Sequence, residues 1–187
     1  FERERGLPED FIRGINATNP TGNAWARFES SITTLEEFDR EFLEEAAAAG
    51  HPVRGGEILP LLSGDVRPRM VEALKRCGER FTNACLTNNV KSGSGPGMAR
   101  DSERAARVDD VMALFHLIVE SSVEGVRKPD PRAYEIVIER LGVPAERILF
   151  LDDLGINLKP ARAMGMTTVK VVSEAQALED LARHTGI

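Results

Sequence analysis

Cysteine is scarce in this chain, with only Cys77 and Cys85 in 187 residues. Cys77 falls in a helical pattern and Cys85 in an apolar strand pattern, so both read as core-packing thiols of a reducing, cytoplasmic protein rather than as a disulfide framework. No apolar run reaches the roughly 18 residues of a membrane-spanning helix, and no signal-peptide pattern opens the chain. Positive charge is in deficit. With 24 Lys and Arg against 30 Asp and Glu, the net charge is −6, so neither a nucleic-acid nor an anionic-membrane footprint is expected. An anionic substrate must therefore be attracted by local groups. What is present, 42% apolar and 29% charged residues, suits one globular domain or a core with a small accessory domain.

The first third reads as helical. Phe11, Ile12 and Ile15 suggest a short helix, Thr18 to Asn23 a loop, and Leu35, Phe38, Phe42 and Ala46 one stripe of a longer helix that Thr34 and Glu37 would open as a capping box. Ile58 to Leu62 adds a short apolar turn, and no strand is expected before Val66. After that the texture alternates. Helices are expected at Arg67–Cys77, Pro131–Leu141, Leu158–Met164 and Glu174–His184, and strands at Phe81–Leu86, Leu117–Val119, Arg147–Leu151 and Thr167–Val172. Ser92 to Gly97 reads as a mobile glycine-rich loop. Such alternation predicts an α/β fold with a parallel sheet and right-handed crossovers.

Three strand ends carry polar residues suited to phosphate chemistry. Leu149 to Leu151 ends in Asp152 and Asp153, followed by Gly155 and Asn157, with the strand expected to be buried on both faces. Adjacent carboxylates repel unless a positive group lies with them, and a hard divalent cation such as magnesium is a common solution. Equally, Asp153 could cap the following helix. Thr87, Asn88 and Asn89 follow a second strand, where a hydroxyl and free backbone N–H groups can hold a phosphoryl oxygen or simply make a turn. Lys128 sits between Gly125 and Pro131 in a loop stiffened by prolines. Beside two carboxylates and a phosphate it would neutralise transition-state charge; alone it would be surface decoration. Their order after successive strands makes the combination more specific than any one of them.

Thr87-Asn-Asn89, Gly125-Val-Arg-Lys-Pro-Asp-Pro131 and Phe150 to Arg162 resemble the second, third and fourth motifs of the haloacid-dehalogenase-like hydrolase superfamily. The nearest likeness is to the N-terminal phosphatase domains of soluble epoxide hydrolases, and it covers the last two thirds of the chain. The resemblance implies a helical cap over residues 1–65 and a Rossmann-like core over residues 66–187. It also implies a magnesium-dependent phosphohydrolase acting on a small organic or lipid phosphate through a phospho-aspartyl intermediate. By position, Thr87 and Asn88 would hold the transferring phosphoryl group, Lys128 would stabilise the nucleophile, and Asp153 would ligate Mg2+ with Asp152 beside it. Asn89 and Asn157 would touch the substrate or support its loop. Phe11, Trp25, Phe28 and Phe38 either line an apolar mouth or form the cap core, with Trp25 the best candidate for ligand contact. The expected partners are a small-molecule phosphate ester and, as an assembly the sequence allows, a second copy of the chain; nucleic acid and membrane insertion are not expected. His51, His116 and His184 are scattered and receive no role.

One family element is absent. No Asp-x-Asp follows an apolar strand, and Asp109-Asp110 and Asp130 are poor substitutes. In the family the strand carrying that motif lies at the centre of the sheet, between the strands ending at Thr87 and Asp152. Without it two buried edges lose their partners, at about 1–3 kcal/mol for each unsatisfied group. The expectation is therefore a first strand, with the nucleophilic aspartate, on residues preceding Phe1. The alternatives are a non-catalytic pseudophosphatase or interaction module, or a dehalogenase or phosphomutase of the same fold.

Overall fold

The computed structural model describes residues 1–62, 64–89 and 102–187. The helical first part comprises α1 (Glu2–Arg5), α2 (Phe11–Ala17), α3 (Ala24–Glu29), α4 (Leu35–Ala48) and α5 (Gly55–Ile58), with a 3-10 turn at Leu59–Leu62. The capping box at Thr34 and Glu37 is formed, with Glu37 N–H donating to Thr34 Oγ1 and Thr34 N–H to the Glu37 carboxylate. Phe38, Phe42 and Ala46, each four residues after the last, have no exposed surface. They lie on one face of α4, and each phenylalanine contributes roughly 1.5–3 kcal/mol by burial. Phe38 stacks on Phe28 at 4.5 Å and meets Trp25 edge-on at 5.2 Å. Gly55 is where α5 presses against this cluster: a Cβ there would stand 2.6 Å from Phe38 Cε1.

The remaining elements are α6 (Pro68–Gly78), β1 (Ala84–Thr87), α7 (Ser102–Met112), β2 (Leu117–Glu120), α8 (Ser121–Glu124), α9 (Pro131–Leu141), β3 (Leu149–Asp152), α10 (Gly155–Ala163), β4 (Thr167–Lys170) and α11 (Glu174–Thr185). This is the α/β, Rossmann-like architecture the alternation predicts. Strand boundaries differ from the expected ones by up to three residues: Phe81 to Asn83 precede β1, and Arg147 belongs to a 3-10 turn before β3. The Ser92 to Gly97 loop lies outside the described residues.

Both strand pairings are parallel. Ala84 to Thr87 register against Leu117 to Glu120, and Leu149 to Asp152 against Thr167 to Lys170. Among the described residues, however, these pairs are two separate sheets. Helix α9 packs on β1 and β2 and touches α10, which covers β3 and β4. Tyr134 of α9, with no exposed surface, reaches across to Phe150 of β3 edge-on at 5.6 Å. Between β1 and β3 lies a cleft of about 780 Å3 bordered by Ala84, Leu86, Leu149, Leu151 and Tyr134. Leu149 to Leu151, expected to be buried on both faces, are only half-buried. All three line this cleft. No helix among the described residues is long and apolar enough to cross a membrane.

Candidate active site

The carboxyl ends of β1 and β3 meet the Lys128 loop at one rim, the usual place for ligands in open α/β sheets. Gly125, at φ +70°, ends α8 in the left-handed conformation that favours glycine, and the chain turns into that loop. Pro131 occupies the first turn of α9, and Asp130 caps it by accepting the Arg132 N–H. The loop between the two helices is thus held at both ends.

Asn88 clips Lys128 by its backbone: its Nδ2 donates to Lys128 O at 3.0 Å, and Lys128 N–H donates to Asn88 Oδ1 at 2.9 Å. The ammonium donates to Asp152 Oδ2 at 2.8 Å and lies 5.8 Å from the centre of the Phe150 ring. The two charged side chains are 12% and 5% exposed. Asp152 also accepts from Leu154 N–H at 2.8 Å and from Asn157 Nδ2 at 3.0 and 3.2 Å. Asn157 is held in turn through its backbone oxygen, which accepts from Tyr134 Oη at 2.6 Å. Burial pushes the Tyr134 phenol up, so it stays a proton donor at any ordinary pH. Leu154 is the N-cap of α10, and the carboxylate taking its N–H is Asp152. The N-cap position is thus Leu154 and not Asp153, and Asp152 binds the turn that leads into the helix. Asp153 itself is exposed.

Thr87 ends β1, half-buried, in register with Glu120. Asn89 is 3% exposed, and its groups are spent on the next strand end: N–H to Ser121 Oγ, Nδ2 to Glu120 Oε1, and Oδ1 accepting from Ser122 N–H. Trp25 is buried within the aromatic cluster of the helical layer. The structure thus brings Asn88, Lys128, Asp152 and Asn157 into one hydrogen-bonded network with Asp153 adjoining it. Trp25 and Asn89 are packed elsewhere.

Sequence reasoning passed over Ser121, Ser122, Arg127 and Glu29. The Ser121 hydroxyl donates to Glu29 O at 2.7 Å and Ser31 Oγ to Ser122 O at 3.0 Å, joining the helical layer to the core. A signal was available. Two serines directly after the apolar strand Leu117–Glu120 are a fourth polar strand end, of the kind already noted at Thr87.

The donor set fits a hard cation held with few protein ligands. Magnesium takes one or two carboxylates and completes its shell with water and phosphate oxygens, and Asp153 offers a carboxylate in contact with solvent. Asp152 is already committed to Lys128, Asn157 and Leu154. Among the described residues no group of three or more His, Cys, Asp or Glu gathers into a cage.

A family model for haloacid dehalogenase-like hydrolases matches residues 9–165. The chain is 31% identical over 198 residues to bifunctional epoxide hydrolase 2 of Mus musculus, a match that spans 99% of the chain and 35% of that protein. It is 34% identical over 119 residues to phosphatase MT3486 of Mycobacterium tuberculosis, across 64% of the chain and 50% of that protein. Among solved structures, a HAD family enzyme of Bacteroides thetaiotaomicron, crystallised as a mutant with magnesium and inorganic phosphate, matches with a TM-score of 0.60. Identity there is 21%, covering 94% of this chain and 90% of that one, and the likeness is one of fold. The chain spans half or less of the length of these two curated relatives.

Proposed function

The chain belongs to the haloacid dehalogenase-like hydrolases, and from that premise we propose that it serves a magnesium-dependent phosphatase reaction on small organic or lipid phosphates in a reducing, cytoplasmic setting. The observation that carries the reading is the Lys128–Asp152 pair, drawn nearly out of water at the rim where β1 and β3 end, clipped by Asn88 and next in sequence to the exposed Asp153. A buried ion pair of this kind adds little net stability, so a chemical use is the better reason for its presence.

The reaction proceeds in two displacements. A carboxylate oxygen attacks phosphorus, the P–O ester bond breaks, and the leaving alkoxide takes a proton from a second carboxylic acid. Water, losing a proton to that same group, then attacks phosphorus and releases inorganic phosphate, restoring the aspartate. Thr87 and the Asn88 backbone hold the phosphoryl oxygens. Lys128, fixed by the Asn88 clip, neutralises charge on the attacking carboxylate and the transferring group. Asp153 would hold magnesium with Asp152 beside it, and the ion when bound would supply further charge neutralisation. Asn157 keeps Asp152 oriented.

Phosphate release from a generic aryl phosphate tests this, using the protein extended upstream of Phe1 through the first strand. Release should require magnesium and be lost in Asp153→Asn. An extended protein that folds and releases no phosphate from aryl, alkyl or lipid phosphates would make the reading wrong and leave the pseudophosphatase account.

A further inference from the structure

Arg127 and Lys128 are consecutive, yet they serve different bodies. The Lys128 ammonium turns to Asp152 of the core. The Arg127 guanidinium turns to the helical layer, where Nη1 donates to Pro20 O at 2.8 Å and Nε lies 2.7 Å from Glu29 Oε2. The Glu29 and Arg127 side chains are only 10% and 20% exposed. The backbone oxygen of Glu29 also accepts from the Ser121 hydroxyl. The end of α3 is thereby fastened at one charged point and one neutral point, both on the segment running from β2 to Lys128.

From this geometry we propose that Glu29 and Arg127 form a clasp through which the seating of the helical layer sets the placement of Lys128, making Arg127 a positioning residue for the Lys128–Asp152 pair. A nearly buried ion pair is asymmetric in its failure: removing one partner strands the other charge, so the layer lifts rather than adjusts. Lifting α3 drags the Arg127 backbone, and Lys128 shares that backbone. The Asn88 clip holds Lys128 by its N–H and C=O and leaves the ammonium to its bond with Asp152, the contact that loosens when the residue before it moves. Substrate entering beneath the layer would then meet Lys128 in register only when the clasp is closed. The consequence for catalysis rests on the phosphatase reading; the coupling itself does not.

Chemical accessibility of the Lys128 amine tests the coupling in the chain of residues 1–187 at neutral pH. Acylation of each lysine is followed by peptide mass mapping, in parallel with the emission of Trp25, the single tryptophan. Arg127→Met and Glu29→Ala should each accelerate Lys128 acylation about tenfold or more and shift Trp25 emission to the red. Arg127→Lys, which keeps a cation opposite Glu29, should recover much of the wild-type rate. Arg140→Met, which breaks the surface pair with Glu124 on the same core, should leave the Lys128 rate unchanged. A Trp25 shift without any change at Lys128 overturns the proposal, because the layer then moves independently. Equal acceleration in Arg140→Met overturns it as well, because general loosening would explain the result. Should Arg127→Met fail to fold, Glu29→Ala and Arg127→Lys still decide the matter. None of these readouts involves phosphate release, so a chain that hydrolyses nothing can carry the clasp, and loss of the clasp leaves the hydrolase reading standing.

Discussion

Replacing Lys128 by methionine keeps an unbranched apolar stem and removes the ammonium, leaving Asp152 buried at 5% side-chain exposure. At the observed 2.8 Å, Coulomb attraction at an effective dielectric of about 20 amounts to roughly 6 kcal/mol, close to what desolvating both ions costs. The intact pair is therefore near neutral for stability. Its half is not: stranding one buried charge costs about 3–5 kcal/mol. The lower end applies here, because Asn157 Nδ2 and Leu154 N–H still donate to the carboxylate. We expect Lys128→Met to lose about 3 kcal/mol, a fall in Tm of roughly 6–12 °C for a chain of this size. The double variant Lys128→Met with Asp152→Leu should lose less than the sum of the two single variants. Urea unfolding followed by far-UV circular dichroism measures all three. A Lys128→Met cost below about 0.5 kcal/mol, or strict additivity, would refute the claim that this pair is desolvated and mutually dependent.

Three further outcomes are expected. Burial pushes the Glu29 carboxyl up from its ordinary range against the lowering pull of Arg127. Because the folded value then lies above the unfolded one, its stabilising contribution is complete below the ordinary carboxylate range and is lost as pH rises through the raised value. Stability of the wild type minus that of Glu29→Gln should accordingly shrink as pH increases; a constant difference in urea titrations across pH would contradict this. Gly55→Ala would place a methyl 2.6 Å from the ring of Phe38, which has no free space to retreat into, and should cost about 1–3 kcal/mol by thermal unfolding. Magnesium with inorganic phosphate should raise the wild-type Tm, by about 2.7 kcal/mol of stability at a hundred times the dissociation constant. Asp153→Asn should show a much smaller rise, and an equal rise in both would remove Asp153 from the metal site.

Periodicity and punctuation settled much of this protein before any coordinates. The spacing of Phe38, Phe42 and Ala46, the Thr34–Glu37 box and the Pro131 start are local rules, satisfied within one or two helical turns, and so they can be read from neighbouring residues alone. The same holds for the three polar strand ends, since an apolar run that stops at Thr87 or Asp152 announces both a strand and a rim. Tertiary structure decided what those residues do to one another. Nothing adjacent in the chain says that Lys128 would spend its charge on Asp152 rather than Asp153, or that Asn88 would hold Lys128 by its backbone. Nor does anything local join Glu29 to Arg127, 98 positions later. Those partners meet because the carboxyl ends of β1 and β3 reach the Lys128 loop and the end of α3 reaches the segment after β2, and the strength of each contact depends on how much water that packing removes, a quantity no short stretch of residues contains.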